Sequence, residues 1–104
     1  MIEFDLIQAP NQRFSALLDG AWFEIEIKTL DNGACAVSIR RDNETIIQSV
    51  RALPNRALIP YLYREHGNFI FLTNDGEYPM YTQFGGACRL IYVTPDELKE
   101  IRGG

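Results

Sequence analysis

Apolar and polar residues alternate along several short runs of this chain, a pattern typical of strands with one buried and one solvated face. The clearest run extends from Ala21 to Leu30. Within it Phe23, Ile25 and Ile27 fall on one face, and two glutamates and a lysine fall on the other. The alternation therefore predicts a strand whose first face belongs to the core.

Turn-forming residues separate these runs at short intervals. Glycine and asparagine supply positive φ angles, and aspartate hydrogen-bonds its own backbone, so clusters of these residues favour tight turns between strands. Short strands at such spacing predict an all-β domain, mainly an antiparallel barrel or sandwich, formed by residues 1–104 as a single unit. The expected turns are Asp19-Gly20, Asp31-Asn32-Gly33, Arg41-Asp42-Asn43-Glu44, His66-Gly67-Asn68 and Asn74-Asp75-Gly76.

The same alternation predicts further strands before and after this run. They contain the apolar sets Ile2, Phe4, Leu6; Phe14, Ala16, Leu18; and Cys35, Val37, Ile39, and they include the ranges Thr45–Leu53, Asn68–Thr73 and Cys88–Val93. Because branched and aromatic residues pack well on a pleated surface, those in the middle of these strands should form the core. The expected core residues are Phe23, Ile25, Ile27, Val37, Ile39, Phe69, Phe71 and Ile91.

One short helix is predicted at the C-terminal end, over residues 95–102. Thr94 can cap the first turn, Pro95 occupies a position where its missing N–H does no harm, and Glu97 completes a capping box. Leu98 and Ile101 are three residues apart and could dock on the sheet.

Composition narrows the class of protein. The chain has 104 residues, 46% of them apolar, which is enough to build one hydrophobic core. Its formal charge is −4, and no cluster of basic residues is larger than the pair Arg40-Arg41, so nucleic-acid specificity is not expected. It contains no membrane segment, since no apolar run approaches the roughly 20 residues that a membrane-spanning helix requires. No secretory signal precedes the first strand, so synthesis in the cytoplasm is expected.

The residues that commonly carry chemistry do not form a recognisable site. His66 lies in a predicted turn, and Cys35 and Cys88 lie in strand patterns, so a thiol–base pair has little support. Glu24 and Glu26 have a spacing similar to that of a glycosidase pair, but alternating charges on a strand usually form a solvated face. We expect no catalytic residue, no metal site and no cofactor. The two cysteines should be buried thiols without an intramolecular disulfide.

Aromatic residues concentrate in the second half of the chain. Eight of the eleven Phe and Tyr residues lie between Tyr61 and Tyr92, several of them in the irregular segment from Tyr78 to Gly86. Large aromatics on a surface loop are typical of contact surfaces, although these residues could instead close the domain's own core. The candidate residues for a subunit interface are Tyr78, Met80, Tyr81, Gln83 and Phe84.

An ordered series of short motifs resembles the small baseplate plug family of contractile-tailed bacteriophages. The resemblance covers nearly the whole chain in the same order. It is carried by Met1-Ile2-Glu3, Pro10-Asn11-Gln12 with Phe14, Leu18-Asp19-Gly20, Leu58-Ile59-Pro60-Tyr61, Gly67-Asn68-Phe69, Phe71-Leu72-Thr73, Pro79, Tyr81-Thr82-Gln83-Phe84-Gly85 and Leu90-Ile91-Tyr92.

This resemblance implies a virion component of the tail baseplate, made in the host cytoplasm, with no enzyme activity and no cofactor. Such a protein would plug the tail near the tube and hub. Its partners would be other baseplate proteins, namely tail tube, hub or spike subunits, and copies of itself. Two other functions remain open from the residues alone: a small monomeric ligand-binding β-barrel module of the carbohydrate-binding type, and a minor hydrolase that uses the carboxylates.

Overall fold

The computed structural model describes residues 1–60 and 67–101, and in this part of the chain two antiparallel sheets face each other as a sandwich. Strands β2 to β5 form one sheet in chain order, and the other sheet has the order β1-β7-β6. The predicted fold class is confirmed, in its sandwich form. The elements are β1 Ile2–Phe4, β2 Asn11–Leu18, β3 Ala21–Thr29, β4 Cys35–Arg41, β5 Glu44–Arg51, β6 Asn68–Thr73, β7 Cys88–Val93 and helix α1 Pro95–Ile101.

Two-residue turns connect neighbouring strands at one end of the four-stranded sheet. Asp19 and Gly20 have φ angles of 50° and 78°, and they connect β2 to β3. Asp42 and Asn43 have φ angles of 48° and 68°, and they connect β4 to β5. Positive φ at both central residues matches the right-handed twist of the flanking strands, which is why these residue types occur here. Both predicted turns are confirmed.

Strand β5 departs from regular pairing. Val37 pairs with Val50 and Ile39 pairs with Ile47, so two residues of β5 lie opposite the single residue Ser38. One of the two, Ser49, has a φ angle of 51°, and its N–H donates to Ser38 Oγ at 2.9 Å. The result is a β-bulge, which alternation alone did not predict.

The three-stranded sheet joins the two ends of the chain. β1 pairs with β7, with Ile2 opposite Tyr92, and β6 pairs with β7 along its whole length. A segment before β6 is held on the outer edge of that strand by the backbone bonds Asn55 N to Phe71 O at 2.8 Å and Leu58 N to Phe69 O at 2.9 Å.

The core lies between the sheets, and aromatic contacts connect the two layers. The Phe23 ring centroid lies 5.4 Å from that of Phe69 and 5.9 Å from that of Tyr92. The predicted core residues are all buried, as expected: Phe23, Ile25, Ile27, Val37, Ile39, Phe69, Phe71 and Ile91. Ile91 differs from the other seven, because it belongs to a second, smaller cluster with Val93 and Leu98 of α1.

Helix α1 begins with the predicted capping box. The Thr94 N–H donates to Glu97 Oε1 at 3.0 Å, and the Glu97 N–H donates to Thr94 Oγ1 at 3.3 Å. The Met1 ammonium group lies 2.8 Å from Glu97 Oε1 and is the main reason that the pKa of Glu97 falls to about 2. Leu98 packs on β7, whereas the Ile101 side chain and residue 102 of the predicted helix lie outside the described residues. No helix within the described ranges is long and apolar enough to cross a membrane.

Candidate subunit interface

The segment from Tyr78 to Gly86 belongs to the connection between β6 and β7, and its backbone pairs largely with itself. A 3-10 turn spans Tyr81–Gln83. The Phe84 N–H donates to Tyr81 O at 3.2 Å, and the Gly86 N–H donates to Gln83 O at 3.1 Å. The Gly85 N–H then reaches Cys88 O at 3.0 Å, at a φ angle of 84° that favours glycine. These bonds give an irregular loop a defined shape.

Some candidate residues of this segment point into the protein. Phe84 is only 2% exposed, and its ring stacks on Phe71 with a centroid separation of 5.9 Å and an interplanar angle of 14°. Pro79 is buried, and Tyr81 is half-buried and packs against the core. The expectation that Phe84 lies on a contact surface therefore needs correction, since its ring fills the sandwich of the isolated chain.

Other candidate residues point outward. Tyr78 is 50% exposed and Met80 is 41% exposed. The Arg51 guanidinium lies 5.0 Å from the centroid of the Tyr78 ring, within cation–π range. A Cβ atom added to Gly33 would lie 3.4 Å from Met80 Cε, so the methionine rests on the turn between β3 and β4. We call these four residues the Tyr78–Met80 patch.

Gln83 lies between the inward and outward sets. Its side chain is half-buried, and its Oε1 atom is buried without a hydrogen-bond donor among the described residues. A buried acceptor without a partner is unfavourable by about 1–3 kcal/mol. This atom could therefore accept a hydrogen bond from outside the described part of the chain.

The carboxylates considered as a hydrolytic pair lie on the solvated face of the large sheet. Glu24 pairs across the strands with Arg40, and Glu26 lies 3.8 Å from the ammonium of Lys28. Both glutamates line a shallow groove of about 270 Å³. They come from one strand rather than from opposite walls of a cleft, which is where glycosidase carboxylates stand. The arrangement of the two glutamates is that of a solvent-exposed strand face.

The thiols are buried and free. Burial raises the pKa of Cys35 above its usual value. For Cys88, burial and then the nearby Cys35 raise the pKa to about 11, so neither thiol is activated as a nucleophile. His66, the histidine considered as a base for these thiols, lies outside the described residues. Within the described ranges, no group of three or more histidine, cysteine, aspartate or glutamate side chains could hold a metal ion.

A second exposed apolar pair was not identified from the sequence. Leu17 and Trp22 face each other across β2 and β3, and they are 61% and 57% exposed. Both are on the face of the large sheet that alternation assigns to solvent. The sequence does contain a signal for this pair, because both residues are apolar at positions where the alternation predicts a polar side chain.

The comparison with protein families decides the class to which this protein belongs. A family model described as cyanophage baseplate Pam3 plug gp18 matches residues 1–96 of the 104. The chain belongs to this baseplate plug family. The resemblance drawn from its short motifs is thereby confirmed, and a place in the phage tail baseplate follows from family membership. No curated protein matches the chain.

Proposed function

We propose that this baseplate plug acts as a structural part of a contractile tail and binds neighbouring subunits at the tube or hub through the Tyr78–Met80 patch. The observation that carries the proposal is an exposed aromatic and an exposed methionine on a loop whose other side is anchored in the core. Aromatic and methionine side chains are enriched at protein contacts, while a rigid support lowers the entropy lost on binding.

The loop is supported from three directions. Phe84 stacks on Phe71, Met80 rests on Gly33, and Tyr78 stacks under Arg51. A partner that covered Tyr78 and Met80 would desolvate large apolar surfaces without reordering the loop. A donor on that partner could also satisfy Gln83 Oε1.

The carbohydrate-binding alternative has less support. It requires neighbouring exposed aromatics along an open groove. In the described part of the chain, the large exposed aromatics are Trp22 and Tyr78. Trp22 is the second residue of β3, whereas Tyr78 contacts Arg51, which lies level with Lys28 near the other end of that strand. A separation of six positions along a strand corresponds to about 20 Å, which is too far for one row of stacked rings.

The experiment combines a capture assay with a stability control. The tagged protein is mixed with tail tube, hub and spike proteins of the same phage, and retained proteins are quantified. We expect the double variant Tyr78→Ala, Met80→Ser to keep its urea midpoint and to lose at least about thirtyfold in affinity, the value typical of an interface anchor. Ile7→Ser, which removes an exposed apolar residue elsewhere, should change neither quantity.

Two results would contradict the proposal. If the wild-type chain retains no tube, hub or spike protein, subunit binding fails. If the double variant binds as the wild type does, the Tyr78–Met80 patch is not the contact. Tyr81→Ala serves as a contrast, because Tyr81 packs against the core and its removal should lower the melting temperature.

A further inference from the structure

The sheet edges of the described chain differ in how they are protected from pairing with other strands. β1 has only three residues, and a bulge at Ser49 interrupts β5. The segment containing Asn55 and Leu58 covers the outer edge of β6. β2 has eight residues in regular register with β3 and no bulge. A long, regular edge strand without such protection is a template for strand addition.

The geometry of the β2–β3 hairpin shows which backbone groups are available. In a hairpin with a two-residue turn, the residues that flank the turn exchange hydrogen bonds, here Leu18 and Ala21. Every second residue back along β2 then also bonds to β3. The N–H and C=O groups of the residues in between, Arg13, Ser15 and Leu17, consequently point away from the sheet. No backbone partner for them occurs among the described residues.

We propose that a second copy of this chain pairs with β2, antiparallel and about a two-fold axis through Ser15, to join two four-stranded sheets into one of eight strands. The outward-pointing residues are symmetric about Ser15. In this register Ser15 faces Ser15 of the second copy, and each Arg13 faces Leu17 of the other copy. All three pairs can exchange two backbone hydrogen bonds each.

The side chains of β2 fit this partner on both faces of the sheet. On the solvated face, Arg13 is the only charged residue of the strand, and the register keeps the two arginines apart. Its guanidinium would lie in line with Leu17 and Trp22 of the second copy, an aliphatic and an aromatic surface that are now exposed. On the core face, half-buried Phe14 would face Ala16 of the other copy, a large residue opposite a small one.

This inference does not depend on the Tyr78–Met80 patch, because Arg51 of that patch belongs to β5, the edge strand on the other side of the same sheet. It concerns the free protein. Dimer formation can therefore be refuted while binding to the tube or hub is confirmed, and the reverse is equally possible. An isologous contact of this kind closes at two copies. The proposal therefore predicts a dimer and no larger assembly.

Sedimentation equilibrium of the purified full chain over a concentration series tests the proposal. We expect a monomer–dimer equilibrium for the wild type. Ser15→Pro removes one outward N–H without touching the bonds to β3, a position at which edge strands tolerate proline. It should weaken the dimer at least about tenfold, as two hydrogen bonds are lost by symmetry. Ser15→Ala keeps the N–H and should dimerise as the wild type does.

A charge pair tests the register without relying on proline. Leu17→Lys brings a lysine opposite Arg13 of the second copy and should weaken the dimer, while the fold is unaffected because Leu17 is exposed. Combining it with Arg13→Glu places opposite charges together and should restore the dimer. A wild-type monomer at every concentration, a larger oligomer, a dimer unaffected by Ser15→Pro, or a double variant no stronger than Leu17→Lys would each overturn the proposal.

Discussion

Asn68 connects the start of β6 to the segment that covers this strand, and replacing it tests how that segment is held. The residue is fully buried. Its Oδ1 accepts hydrogen bonds from the N–H groups of Ile59 and Phe69, and its Nδ2 donates to Ile59 O, each at 2.8 Å. Asn68→Ala removes the side-chain partner of three buried backbone groups at once.

The expected loss follows from these bonds. Each buried hydrogen bond contributes about 1 kcal/mol net, so the three together give about 3 kcal/mol. If no water enters the space left by the amide, the backbone groups stay unpaired and the loss is larger. A loss of about 3 kcal/mol corresponds to a fall in Tm of about 12–24 °C for a domain of this size.

Asn55, in the segment that covers β6, offers a matched control. It makes the same kind of contact with β6, since its Oδ1 accepts from the Thr73 N–H at 3.0 Å, but it is exposed. Its φ angle of 57° favours glycine over alanine as the replacement. Because water can replace the lost bonds, Asn55→Gly should lose no more than about 1 kcal/mol.

Urea unfolding followed by circular dichroism measures both changes as free energies of unfolding. Asn68→Ala should be clearly less stable than Asn55→Gly, and the two variants should have similar m-values. Should the two variants lose the same free energy, or should Asn68→Ala stay within about 1 kcal/mol of the wild type, burial does not decide the strength of these contacts.

Two further outcomes are expected. Phe71→Ala should destabilise the protein by about 3–5 kcal/mol in the same urea assay, because the ring is fully buried and stacks on Phe84; an unchanged midpoint would place Phe71 outside the core. Cys35 and Cys88 should remain unmodified by iodoacetamide at pH 8 in the native protein and react once it is denatured, because burial raises both pKa values. Rapid native alkylation, or a mass increase of two hydrogens on reduction, would contradict buried free thiols.

Local chemistry accounts for the parts of the structure that could be predicted. The limits of β6 and β7 agree with the predicted ranges, and β3 ends one residue earlier than predicted. The predicted turns at Asp19-Gly20 and Asp42-Asn43 and the capping box of Thr94 and Glu97 depend on neighbouring residues, so short-range rules suffice for them. The fold class followed because alternation and turns recur throughout the chain.

The candidate interface could be predicted only in part. The concentration of aromatic residues indicated Tyr78–Gly86 as a candidate interface. It could not show that Phe84 is buried and Tyr78 exposed, because both are aromatic residues in an irregular segment. Their orientations depend on which neighbours the loop meets, Phe71 in one case and Arg51 in the other. Leu17 and Trp22 could not be singled out beforehand, because each looks like an ordinary apolar residue until the strand faces are assigned.

The sequence by itself determined the class of elements, most of their bounds, the core positions and the membership in the baseplate plug family, because these depend on alternation, turn chemistry and ordered motifs. Tertiary structure alone decided the pairing of β1 with β7, the bulge in β5, the clamp of Asn68 on Ile59 and the open edge of β2. The first three of these features bring together backbone groups that are far apart in the sequence or out of regular register. The last one leaves backbone groups without a partner strand. Which groups meet is set by the packing of both sheets around one core, and no short stretch of residues records it.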